Sequence, residues 1–127
     1  MEILYQDDVL LAVHKPSGLL VHRGWGRDTT VLVDLVRDAL GVDVVHPLHR
    51  LDRQTSGVVL FALSGEIAAR MRDAFEDGTV EKRYLALVRG VAPDEGCIDQ
   101  PIPRRENGPR VPALTEFRRV AQAPTQP

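Results

Sequence analysis

An arginine and a carboxylate stand two residues apart in His49-Arg50-Leu51-Asp52-Arg53-Gln54-Thr55-Ser56-Gly57, the densest polar stretch of the 127-residue chain. In extended backbone, successive side chains point to opposite sides, so Arg50, Asp52 and Gln54 would share one face. A neighbouring cation keeps a carboxylate ionised, the state that a nucleophile or general base needs. Two readings are open from these residues alone. In one, Asp52 acts on a substrate that Arg50 helps to hold. In the other, Asp52 caps backbone amides of a turn near Thr55 and Arg50 is a solvated surface charge.

Other chemistries fit less well. His22, His46, His49 and Asp52 could be imagined around a metal, but an extended His46-Pro47-Leu48-His49 sends its two imidazoles to opposite faces. Cys97 is the only cysteine, so it forms no cluster for zinc and no intrachain disulfide, which is consistent with a reducing compartment. A kinase-like catalytic loop is excluded because Leu51 separates His-Arg from Asp, no Asn follows at the required distance, and no Gly-rich phosphate loop exists.

Side chains that do chemistry must be held by rigid elements. Residues 2–6 and 9–13 are apolar runs split by Asp7-Asp8, which predicts a β-hairpin. Lys15-Pro16-Ser17-Gly18 ends its second strand. Leu32, Leu35, Val36, Ala39 and Leu40 fall at helical spacing, with Asp28, Thr29 or Thr30 available to cap the start and Gly41 the end. Residues 58–63 are apolar on both faces, as in a central strand covered on each side. Ser64 then caps a second helix whose stripe is Ile67, Ala68, Met71, Ala74 and Phe75, closed by Gly78. Alternation over residues 79–89 predicts a strand, residues 93–96 a turn, residues 100–112 a loop and residues 114–120 a last strand. The expected order is strand, strand, helix, strand, strand, helix, strand, strand, strand. This predicts an α+β fold with a mixed, mainly antiparallel sheet and flanking helices, in one domain over residues 1–127.

Composition limits the remaining classes. A chain of this length that is 43% hydrophobic can bury roughly two-thirds of its unfolded surface around one core. The apolar run over residues 58–63 is far too short for a membrane span, and Met1-Glu2-Ile3 lacks the layout of a secretion signal, so a soluble cytoplasmic protein is expected. The net charge of -2 is unevenly spread: 8 Lys and Arg face 13 Asp and Glu in residues 1–81, against 8 and 5 from Lys82 onward. Fourteen of the sixteen basic residues are Arg, which suits planar contacts to phosphates and bases.

His49-Arg50-Leu51-Asp52 followed by Thr55-Ser56-Gly57 resembles the H-R-L-D-x-x-T-S-G signature of the RluA-type pseudouridine synthases. Lys15-Pro16-x-Gly18 with Val21-His22, and Lys82-Arg83-Tyr84 leading into Ala86-x-Val88-x-Gly90, resemble two more elements of that family, in the same order. Residues 2–25 look most like its tRNA-acting branch. The resemblance implies cofactor-free and metal-free isomerisation of a uridine flipped out of RNA, with Asp52 as the catalytic carboxylate and Tyr84 lying against the target base. It also implies that Arg50 fills the vacated stack, that His49, Arg53, Thr55, Lys82 and Arg83 contact the RNA, and that the full-length protein is a monomer acting on RNA, most readily tRNA. Lys15 and Pro16 match a supporting loop with no assigned chemical role.

A later family motif, T-G-R-x-H-Q-L-R, whose first Arg pairs with the catalytic carboxylate, has no counterpart before Pro127. Such a pair attracts by about 4 kcal/mol at an effective dielectric near 20. The 127 residues are therefore expected to be the amino-terminal part of a catalytic domain. They should be marginally stable, present residues 114–120 as an open edge, and form no pseudouridine on their own. The alternative, of a different class, is a non-catalytic RNA-binding fragment.

Overall fold

The computed structural model describes residues 1–124, and these fall into two compact units, the first Met1–Lys82 and the second beginning at Arg83. In the first unit, strands β1 (Glu2–Gln6) and β2 (Leu10–Lys15) form the expected hairpin. Asp7 makes its turn: the carboxylate accepts from the amides of Val9 and Leu10 at 2.8 and 2.7 Å and from the Tyr5 hydroxyl at 2.7 Å. Strand β3 (His46–Pro47) and strand β4 (Gly57–Ala62) complete a sheet ordered β1-β2-β4-β3. Every pairing is antiparallel among the described residues, so the parallel part of the expected mixed sheet is not found there.

Period-two alternation sends Leu11 and Val13 of β2, with their partners Phe61 and Val59 of β4, into one core. Val21, Val45, Leu51, and Leu32 and Val36 of helix α1 (Leu32–Leu40) close it. The other face of β4 is less covered than a central strand predicts, because Val58 is 51% exposed. Helix α2 (Gly65–Glu76) packs on β3 and β4 with Ala68 buried. As expected, Ser64 caps it by accepting from the Ile67 amide at 3.3 Å, and Gly78 follows with φ 78°. Helix α1 ends on Gly41 at φ 65°, also as expected, but its start differs. None of Asp28, Thr29 and Thr30 caps it; the N-cap position is Val31. The free amides of Leu32 and Val33 donate instead to the carbonyls of Leu20 and Val21 at 2.8 and 3.1 Å, so the preceding chain does the capping.

The second unit contains β5 (Glu95–Asp99) paired with β8 (Leu114–Arg118), and two short strands, β6 (Ile102–Pro103) and β7 (Arg110–Val111), paired with each other. The expected loop over residues 100–112 thus holds a small ladder, and the expected open edge at residues 114–120 has β5 on one side. The strand expected over residues 79–89 is not formed. Alternation marks a segment that could pleat, but a strand also needs a partner backbone for its ladder. No such partner occurs among the described residues, and Tyr84, Leu85 and Leu87 are 66%, 87% and 97% exposed.

Candidate functional site

The polar stretch is held by its alternate residues. His49 is half-buried and Leu51 is 8% exposed inside the core, whereas Arg50 and Asp52 face solvent. His49 accepts the Leu60 amide on Nε2 at 3.0 Å and stacks on Phe75 with ring centroids 5.4 Å apart. The chain then turns, with the Thr55 amide donating to the Asp52 carbonyl at 3.0 Å. Gly57 enters β4 at φ 145°, in a conformation that L side chains rarely adopt, with a Leu51 methyl 3.6 Å from where a Cβ would stand.

Beyond the turn the loop is fastened to its neighbours. Both nitrogens of the Arg53 guanidinium pair with the two oxygens of Asp28 at 2.8 and 2.9 Å. This drops the Asp28 carboxyl below its ordinary range and raises Arg53. The Arg53 carbonyl accepts from the Gly18 amide at 2.7 Å, and the Ser17 hydroxyl donates to the Gln54 carbonyl at 2.9 Å.

Lys15 lies beneath this loop. It continues the inward face of β2 after Leu11 and Val13, opposite Gly57, and its side chain has no exposed surface. Its ammonium donates to the carbonyls of Pro16, Leu19 and Arg53 at 3.0, 2.6 and 3.1 Å. Burial, and then the Arg53 charge, push its pKa down, while the Asp52 carboxylate opposes them. The Asp52 charge thus acts on the buried Lys15, and no ion pair between Arg50 and Asp52 is described. Sequence reasoning gave Lys15 no chemical role. The available signal was a lysine at an inward position of an otherwise apolar strand.

These bonds have a measurable consequence. Lys15→Met keeps the apolar stem but leaves three carbonyls without their donor, and should lower unfolding stability by about 3 kcal/mol. Urea denaturation checks it; an unchanged midpoint would mean that water replaces the ammonium at no cost.

The expected RNA contacts separate into two groups. The Arg50 side chain is exposed, with no hydrogen bond or ion pair described for its guanidinium. Arg53 spends its guanidinium on Asp28, and His49 is turned inward, so both position the loop. Thr55 is half-buried, and the Lys82 ammonium lies 6.0 Å from the Phe75 ring centroid. Arg83 and Tyr84 belong to the second unit and are exposed. No group of three or more His, Cys, Asp and Glu among the described residues is placed to hold a metal. No helix among them is long and apolar enough to cross a membrane.

Asp52 is exposed, and its carboxylate has no hydrogen-bond partner among the described residues. The turn-capping alternative required the opposite: the Thr55 amide bonds the Asp52 main chain, not its side chain. An unengaged carboxylate on a pinned loop, with a buried ammonium bonded to that loop and a free guanidinium two residues away, can attack or deprotonate a bound substrate.

Protonation tests the inner side of the loop. Because Nε2 of His49 accepts a hydrogen bond, the neutral ring fits the fold, and burial followed by the Lys82 charge lowers its pKa, against a backbone hydrogen bond with Arg50 that raises it. A group depressed in the fold contributes stability that is present above its unfolded pKa, near 6.5, and is lost as pH falls through the folded value. Thermal stability should therefore drop between about pH 7 and pH 5. His49→Gln, whose amide oxygen can still accept from Leu60, should flatten that part of the profile. Parallel profiles for the two proteins would remove His49 from the linkage.

Comparison with known proteins places these features in a group. The family model described as RNA pseudouridylate synthase matches residues 9–126. A tRNA pseudouridine synthase C of Pasteurella multocida is 52% identical over 104 residues, covering 80% of this chain and 42% of its own. That of Salmonella typhimurium is 44% identical over 133 residues, covering 95% and 51%. The chain thus spans about half the length of the curated relatives it matches. Among solved structures, human RNA Pseudouridylate Synthase Domain Containing 4 superposes with a TM-score of 0.76 at 30% identity, over 96% of this chain and 54% of that one.

Proposed function

The chain belongs to the RNA pseudouridylate synthase family, and on that premise we propose that it supplies the catalytic platform of an enzyme isomerising a uridine of tRNA to pseudouridine. The observation that carries this reading is the exposed, unpartnered carboxylate of Asp52 on a loop whose other residues are tied down. The tRNA substrate is supported by the names of the relatives in Pasteurella multocida and Salmonella typhimurium.

In this mechanism the uridine is flipped out of the RNA, at a cost of a few kcal/mol, and Arg50 fills the space it leaves. Asp52 starts the reaction at the ribose or the base. The bond from N1 of uracil to the ribose breaks, the base rotates, and a bond from its carbon 5 to the ribose forms. Carbon 5 loses its proton and N1 gains one, so the reaction is a net isomerisation with no oxidant or reductant. Tyr84 lies against the base and assists removal of that proton. Lys15, Arg53 and His49 hold the loop without touching the substrate, while Thr55, Lys82 and Arg83 contact the RNA.

Pseudouridine has the mass of uridine, so carbodiimide adducts mapped by primer extension provide the test. A chain extended to the length of its relatives should create a new adduct at one uridine of tRNA. The absence of any new adduct across total tRNA would overturn the proposal.

A further inference from the structure

Trp25 is the single tryptophan of the chain and is fully exposed, at 108% of its reference area. Tryptophan is usually largely covered, and a ring wholly in water adds nothing to the packing of this fold. It stands at the tip of Arg23-Gly24-Trp25-Gly26-Arg27. The base of that loop is fastened, because the Arg23 guanidinium donates to the carbonyls of Asp28 and Thr29 at 2.8 and 3.3 Å and pairs with Asp34 at 2.5 Å. Asp28 is in turn gripped by Arg53, the residue after Asp52. Three residues of chain reach at most about 11 Å, so the ring is leashed close to the catalytic loop while making no internal contact of its own.

The surroundings of the ring indicate what it meets. Arg27, two residues on, is exposed and has no hydrogen bond or ion pair described. Its other neighbours in sequence are His22, Arg23 and two glycines, none of which supplies the aliphatic side chains of a protein-binding hot spot. An open aromatic face with an unengaged guanidinium two residues along the chain suits single-stranded nucleic acid, whose bases stack on the ring while the cation meets a phosphate. We propose that Trp25 is a stacking platform for an unpaired base flanking the target uridine, with Arg27 against the adjoining phosphate. This rests on the RNA-modifying function proposed above and adds to it a second base contact, outside the reacting nucleotide.

The lone indole is its own reporter. Trp25 emission should be quenched when this chain is titrated with a short unpaired RNA oligonucleotide. Trp25→Ala should weaken binding of that RNA about tenfold, while a blunt RNA duplex of the same composition changes less than about twofold. Trp25→Phe should retain most of the affinity. Because the side chain is free of internal contacts, neither variant should unfold. Affinity for unpaired RNA unchanged in Trp25→Ala, or lost equally for both RNAs, would overturn the stacking role and leave the function standing. The same holds if Trp25→Ala instead dissolved a self-association seen by sedimentation with RNA affinity unaltered. Failure of the wild-type chain to bind either RNA would defeat both proposals.

Discussion

Asp52→Asn is expected to lower turnover by at least about four orders of magnitude in the chain extended to its relatives' length, with RNA affinity kept within about threefold. Asn has nearly the same shape but is a poor nucleophile and a poor base. The fold should tolerate the change, because the carboxylate makes no hydrogen bond that a carboxamide would break and the loop is held by His49, Leu51 and Arg53 instead. The loss should therefore fall on the chemical step. Single-turnover assays with saturating enzyme separate that step from binding. Turnover within tenfold of the unaltered protein would remove Asp52 from the mechanism.

Tyr84→Phe should reduce turnover by about two to four orders of magnitude with little change in binding, if the hydroxyl moves the proton from carbon 5. Tyr84 is 66% exposed, so loss of its hydroxyl strands no buried partner and stability should be unaffected. Unchanged turnover would leave the ring as packing against the base.

Much of the first unit could be read directly from local pattern. Asp7 between two apolar runs makes the hairpin turn, Ser64 caps α2, and Gly41 closes α1, because each of these uses residues only a few positions apart. The same locality explains the loop that carries Asp52. Alternation along His49-Arg50-Leu51-Asp52 turns His49 and Leu51 inward and leaves Arg50 and Asp52 outside.

What escaped the sequence depends on partners far along the chain. The start of α1 is capped by the carbonyls of Leu20 and Val21, so no capping side chain announces it. Lys15 bonds Arg53 across 38 positions, and Arg53 finds Asp28 across 25. Neither pairing has a spacing rule. The Arg53 guanidinium, which the family resemblance assigns to RNA, is engaged by Asp28 within the fold. Residues 79–89 differ in another way, since a pleat period is present without a neighbouring backbone to complete the ladder.

If Asp52, presented by a pinned loop, isomerises a uridine as proposed, loss of the carbon-5 proton is the most direct signature of that reaction. Transfer RNA labelled with tritium at carbon 5 of uridine should release label to water with the chain extended to its relatives' length, reaching a plateau equivalent to one uridine per tRNA. The Asp52→Asn form of the extended chain should release none. No release from the extended chain, or equal release from both, would contradict the account.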